Sequence, residues 1–321
     1  MATSYIGTVV CNVLNSNTNV PSCSFDITQI DGSMLVPKGY KITQTEIQTL
    51  LTVLQAKAWN TTETSRGYPI WKFIGVEDKS SETSINTTGY GGKTFGKKGK
   101  FEWVFEYKKG GMNYDIMLST FEQAQDSYDV LFFDSTMNTV IGTTPDTNTS
   151  GYVLQGFAME LLYNPLPKMD NEGTKHYLGI ALADTWELMG RMAIYTLPNV
   201  QRVTSIIGLN NIELALTSSV APSATAINLR LTTGYYATDF GPTYGSALAT
   251  LATSWTVVSA SGTNYAVTAG SYTASTSILQ LTVAALSSTS ATEYTLSTPT
   301  VTQMTATVPG YGQGQLIFKS T

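Results

Sequence analysis

The chain has 321 residues, of which 42% are hydrophobic and only 13% charged, and its net charge is −5. That length suggests two domains, and the charge balance excludes the basic footprint of a duplex nucleic-acid binder. An average soluble domain has roughly a quarter of its residues charged, so this surface, rich in Ser, Thr, Asn and Gly, repels neighbouring copies weakly.

The first expected strand is Ile6–Leu14. It is not preceded by a basic segment and an apolar run, so no secretory leader is expected. No stretch approaches the roughly 20 apolar residues of a membrane helix. The expectation is a product made and folded in a cytoplasm, without a membrane partner. Cys11 and Cys23 lack a zinc spacing and read as reduced, buried thiols, with a later disulfide as the alternative. The sequons at Asn60, Asn86 and Asn148 carry no meaning without secretion.

From Lys41 to Trp59 the residues Ile47, Leu50, Leu51, Leu54 and Ala58 follow the helical period, and Thr43 with Glu46 fits a capping box. Pro69–Val76 reads as a strand. Phe101–Tyr107 alternates, with Phe101, Trp103, Phe105 and Tyr107 on one face and Glu102, Val104 and Glu106 on the other, a strand wet on one side. A second helix is expected over Asn113–Gln125, with Tyr114, Met117, Leu118 and Phe121 on one side. Val130–Asp134 and Thr139–Thr143 make a hairpin across Ser135–Asn138. Tyr152–Leu162 and Tyr177–Ala183 are further strands, and Asp184–Met192 fits a short helix or a strand equally.

After Gly208 only five charged residues remain: Glu213, Arg230, Asp239, Glu293 and Lys319. That shift sets the expected domain boundary. Strand-like runs follow at Ile212–Leu216, Ala226–Leu231, Trp255–Val258, Tyr265–Thr268, Ile278–Val283, Glu293–Leu296, Val301–Thr307 and Leu316–Phe318, with no helix among them. Short strands at this spacing suggest an immunoglobulin-like sandwich, with Trp255 as its core aromatic. The expected fold class is therefore α+β, mostly β. A helix-bearing β-barrel or sandwich over residues 1–208 precedes an Ig-like sandwich over residues 209–321.

Catalytic groups are sparse. His176 is the only histidine, so no histidine metal cluster is possible and any Ser-His-Asp arrangement depends on it. Its setting, Gly173-Thr-Lys-His-Tyr177, reads as an exposed turn. Gly92-Lys93-Thr94 imitates a phosphate loop, but Thr87 stands where that motif needs a glycine, and a strand follows instead of a helix. The segment Gly89–Lys100 reads instead as a flexible basic loop carrying Lys93, Lys97, Lys98 and Lys100, either simply solvated or, in an assembly, paired with a neighbour's carboxylates. Glu102 and Glu106 share one strand face, either as ordinary solvent-facing residues or as an acidic surface facing a polyanion. No catalytic, metal or cofactor-binding residue is assigned.

The helix Thr45–Trp59, the basic loop Gly89–Lys100, the alternating strand Phe101–Tyr107, the helix Tyr114–Ala124 and the hairpin Val130–Thr143 together resemble the tail-tube proteins of tailed bacteriophages. The Ig-like C-terminal half fits the same resemblance. It implies a non-enzymatic virion protein, made in the bacterial host, whose barrels close into rings that stack into a tube. DNA would pass without specific binding, and the partners would be the chain itself and other virion proteins. Glu102 and Glu106 would then face the lumen, and Lys93, Lys97, Lys98 and Lys100 would form an inter-subunit loop. The chain has more helices than the simplest tube proteins, which leaves open a capsid-decoration, connector or terminator position. An adhesin or carbohydrate-binding protein displaying Tyr235–Phe240 is the binding-class alternative. A hydrolase using Glu102, Glu106 or His176 is the third.

Overall fold

The computed structural model describes residues 7–10, 26–60, 62–87, 89–96, 98–107, 111–145, 151–170, 173–198, 200–233, 237–304 and 306–321. Cys11, Cys23, Lys97, Asn148, Tyr235 and Tyr236 lie outside them, as does most of the first expected strand. The fold is α+β and mostly β. The chain divides into two compact units, Met1–Ala58 with Thr62–Ile207, and Trp59–Thr61 with Gly208–Thr321.

The first unit opens with β1 (Gly7–Val10), β2 (Gly32–Pro37), β3 (Lys41–Thr43) and helix α1 (Leu50–Ala58). It continues with β4 (Tyr68–Trp71), β5 (Phe73–Asp78), β6 (Ile85–Thr87), β7 (Lys93–Phe95), β8 (Glu102–Tyr107) and helix α2 (Gly111–Gln123). Then come β9 (Tyr128–Asp134), β10 (Thr139–Thr143), β11 (Tyr152–Gln155), β12 (Phe157–Tyr163), β13 (Lys168–Asp170), β14 (Gly173–Leu182), helix α3 (Thr185–Arg191) and β15 (Met192–Thr196).

The antiparallel pairings of this unit form a ring. β9 pairs with β2, β2 with β4, β5 with β8, β8 with β14, β14 with β12, and β12 returns to β9. Between β4 and β5 stands Lys72 alone, with φ 73°. The backbone N–H groups of Lys72 and Phe73 both donate to the Asp31 carbonyl, so the two strands form one chain bent at a corner. The ring encloses Phe105, Phe132, Phe157, Leu178 and Ile180, all fully buried. Phe73 stacks on Phe105 at 4.6 Å, and Phe132 lies 5.9 Å from both Phe105 and Phe157. Each such side chain contributes about 1.5–3 kcal/mol by leaving water, and together they make the interior a packed core. Beyond Phe132, β9 continues instead into a wing, through β10 to β15 and β1, with β11 and β3 joined to its side.

Local chemistry explains several boundaries. The capping box forms: Glu46 Oε2 accepts from both the Thr43 N–H and the Thr43 hydroxyl at 2.8 Å, and Thr43 Oγ1 accepts from the Glu46 N–H at 3.2 Å. The turn after it is 3₁₀, so the helix proper covers only Leu50–Ala58, and Lys41–Thr43 is strand rather than helix. Asp184 caps α3 by accepting from the Trp186 N–H, which settles that segment as a helix. The hairpin across 135–138 is present, with Asn138 at φ 57° and its amide bonded to the Leu197 and Gln201 carbonyls. Tyr152–Leu162 is broken at Gly156, where a Cβ would press on Asp129 and Val36.

The second unit contains β16 (Ile212–Leu216), β17 (Ala226–Thr233), β18 (Thr238–Asp239), helix α4 (Gly241–Thr250), β19 (Thr256–Ser259), β20 (Asn264–Thr273), β21 (Ile278–Val283), β22 (Glu293–Ser297), helix α5 (Val301–Met304) and β23 (Gln315–Lys319). Its strand order is β16-β17-β21-β20-β19-β22-β23. Omitting the two-residue β18 and lettering the other seven A to G in chain order gives A-B-E-D joined through D to C-F-G, the immunoglobulin arrangement. The D strand, β20, shifts register between Val267 and Ala269, pairing with β19 before the bulge and β21 from it onward. Trp255 is 2% exposed in the core, and its indole N–H donates to the Leu248 carbonyl.

Two expectations fail here. The C-terminal half was expected to lack helices, yet α4 stands between the B and C strands. Gly241 and Gly245 argue against a helix by propensity, but both lie beneath the Tyr272 ring, where any Cβ would collide. Val301–Thr307, expected as a strand, begins as α5, because the Thr300 N–H and hydroxyl both bond the Gln303 carboxamide oxygen and initiate a helical turn.

Candidate functional site

Two features of the first unit stand out, a ribbon thrown out by the ring and the outer face of the strands that bear it. Past β5 and before β8 the two chains remain paired. The Lys79 N–H donates to the Glu102 carbonyl, Ser81 to Lys100, and Gly96 to Ser84. β6 and β7 close the ladder with Ile85 opposite Phe95. At Gly99 a Cβ would strike the Ser81 carbonyl, so the two chains approach closely only because glycine stands there. At the extended-strand rise an arm from residue 79 to the tip spans roughly 30 Å. Tyr90 at the tip is fully exposed.

The basic residues divide along this arm. Lys93 and Lys98 are exposed. Lys100, at the base, forms an ion pair with Glu160. The segment expected as a flexible loop is thus partly a β-ribbon, ordered by its own ladder, and Lys97 lies outside the described residues.

Glu102 and Glu106 do share a strand face, as alternation requires. They do not make it acidic. Glu106 Oε1 lies 3.3 Å from Lys175 Nζ, Lys79 lies 3.7 Å from Glu77, and Lys168 stands over the Tyr177 ring. The Tyr163 hydroxyl donates to Glu102 Oε1 at 3.0 Å. Burial and that carboxylate push the Tyr163 pKa up to about 12. Both glutamates are half-buried, and Val104 between them is buried, so the face is neither wholly wet nor acidic but balanced in charge.

His176 is not the exposed turn histidine expected from its neighbours. It lies within β14 and is 7% exposed. Its Nδ1 is 2.6 Å from Asp115 Oδ2 on α2, the Tyr107 hydroxyl donates to the other Asp115 oxygen at 3.2 Å, and the Tyr107 and His176 rings stack. The Ser119 hydroxyl donates to the Asp115 backbone carbonyl. The cluster locks α2 to β8 and β14.

Sequence reasoning also missed a second buried pair. Asp129 and Glu187 sit where β12 meets β9, a junction of only two residue pairs, Phe157 with Val130 and Ala158 with Asp129. Glu187 Oε2 accepts from the Ala158 N–H at 2.8 Å, and Asp129 Oδ2 from the Gly39 N–H at 2.7 Å. Burial raises the pKa of both carboxyls, and Asp129 adds to the rise at Glu187. On α3, beside this seam, Trp186 and Met189 are exposed.

Among the described residues no group of three or more His, Cys, Asp or Glu side chains could hold a metal ion, and no helix is long and apolar enough to cross a membrane. Phe240, from the aromatic segment expected to display a recognition loop, is buried against Tyr244 and Tyr311. Comparison with protein-family models and with curated protein sequences finds no match to this chain.

Proposed function

We propose that this chain is a non-enzymatic structural subunit of a tailed-bacteriophage virion, of the tail-tube kind, that assembles with copies of itself into stacked rings. The observation that carries the reading is the nearly closed six-position barrel with a long ribbon issuing between two of its adjacent strands. A packed barrel presents a rigid outer wall to its neighbours, while an exposed arm with free lysines can reach the next subunit. Stable contacts of this type bury large areas, often above about 2,000 Å².

In such a ring Lys93 and Lys98, with Lys97 between them in sequence, meet carboxylates of the adjacent copy, and Trp186 and Met189 supply apolar contact. The Glu102–Glu106 face lines the channel. Its matched lysines make that wall nearly neutral, so DNA slides past without being held. The Ig-like unit is an appendage, and other virion proteins are the remaining partners.

Negative-stain imaging and sedimentation of the purified full-length chain test this. Rings or tubes are expected. A single discrete ring that never stacks would favour a connector or terminator position, binding to capsids without self-assembly would favour a decoration protein, and a persistent monomer at high concentration overturns the reading.

A further inference from the structure

The geometry points to a binding cleft for an uncharged saccharide at one end of the Ig-like unit, independent of the virion reading. The cleft is shallow and open to solvent, with a volume of about 500 Å³. It lies between the turn joining β19 to β20, the loop joining β21 to β22, and the end of β23.

The lining has the chemistry of a polyol site. Ser259, Ser261, Ser287, Thr289 and Thr292 bring five hydroxyls to it, each with one donor and two acceptor positions. Some are already oriented. Ser287 Oγ accepts from the Thr289 N–H at 3.1 Å, which leaves its own proton to give. Thr292 gives its proton to the Thr289 carbonyl at 2.8 Å, which leaves its lone pairs to accept. Donors and acceptors are thus offered at separate points, as a ring of hydroxyls demands.

Tyr265 supplies the aromatic wall. Its ring meets that of fully buried Tyr294 edge to face at 5.6 Å, and the Tyr294 hydroxyl accepts from the Ser287 N–H at 3.0 Å. One buried tyrosine therefore fixes both the aromatic wall and the hydroxyl loop, and such pre-organisation lowers the entropy cost of binding. The loop also holds Ala291 at φ 59°, a conformation that L residues avoid, pinned by its N–H to the Ser320 carbonyl. Strain of this kind concentrates at ligand sites.

Charge selects the ligand class. The only ionic groups in the lining are Glu293 and Lys319, paired with each other at 3.5 Å. The site presents no net charge, so a phosphate, sulfate or ammonium ligand would have to break that pair. A neutral sugar has an apolar face for Tyr265 and hydroxyls for the rest.

Saturation-transfer NMR on the full-length chain tests the assignment, with the methyl glycosides of glucose, galactose, mannose and N-acetylglucosamine as neutral probes and that of N-acetylneuraminic acid as the charged one. Transfer to the ring protons of at least one neutral probe is expected, lost in Tyr265→Ala and also in Ala260→Trp. Ala260 is exposed on the cleft wall, so tryptophan there fills the cleft without disturbing the core. Absence of transfer to all four neutral probes overturns the proposal. Transfer that survives either substitution, or a clear preference for the charged probe, overturns it equally.

Discussion

Asp115 and His176, sixty-one positions apart, stand 2.6 Å from each other across the gap between α2 and β14. The same carboxylate also accepts a hydrogen bond from the buried Tyr107 hydroxyl. Removing it takes the Asp115 carboxylate away from two buried polar groups, which costs about 1–3 kcal/mol. Asp115→Ala is expected to lower the unfolding free energy by that amount, read as a fall in the urea midpoint at unchanged slope. A double-mutant cycle with His176→Phe should recover part of the loss, since the second substitution removes one of the stranded groups.

The seam carboxylates predict an unusual pH dependence. Their folded pKa values lie above the unfolded ones, because burial penalises the charged form. The folded chain therefore binds protons first as pH falls, and the stability they contribute rises through that window. It is complete below the unfolded carboxylate value of about 4 and lost as pH rises through the folded one. Glu187→Gln, which keeps an acceptor for the Ala158 N–H, should stabilise the chain near neutrality and have little effect near that lower limit. Urea midpoints compared with the parent across this range check it.

In the proposed ring the arm would separate assembly from folding. Lys93→Glu with Lys98→Glu is expected to abolish rings while leaving the thermal midpoint within about a degree, because exposed surface changes seldom exceed 0.5 kcal/mol. Sedimentation velocity and a melting curve on one sample suffice. Trp186→Ala should act in the same direction, since exposed tryptophans often dominate interfaces.

Gly245 carries a packing test. Alanine there gains helix propensity of about 1 kcal/mol but collides with the Tyr272 ring, and overpacking costs about 1–3 kcal/mol. Net destabilisation is expected, seen as faster amide exchange in α4 and β20. Pairing it with Tyr272→Ala should remove the collision and let the propensity gain show.

What the sequence disclosed was local. Alternation from Trp103 to Tyr107, the Thr43–Glu46 box and the turn before Thr139 each involve neighbours within a few positions, and each is present. The seven Ig-like strands were legible for the same reason, as short apolar runs between turn residues. What stayed hidden depends on distant partners. His176 sits among glycine, threonine and lysine, and only α2 makes its position an interior one. α4 looks helix-averse until Tyr272 is laid across its glycines. The charge of the face that Glu102 and Glu106 share is balanced by Lys175 on β14 and by Lys79 just past β5. None of the cleft residues at the end of the Ig-like unit announces itself, because serine and threonine are common throughout that half.

Lys72 has a consequence for the barrel as a whole. In an open sheet one ladder can slip by two residues while the others stay as they were. Here β4 and β5 are the same chain turned through a single left-handed residue, so the offset of β2 against one is tied covalently to the offset of β8 against the other. A slip at any ladder must then be absorbed by every ladder around the ring, and the cylinder's shear is fixed. A barrel with only one permitted shear has one diameter and one tilt, so its outer wall has one curvature.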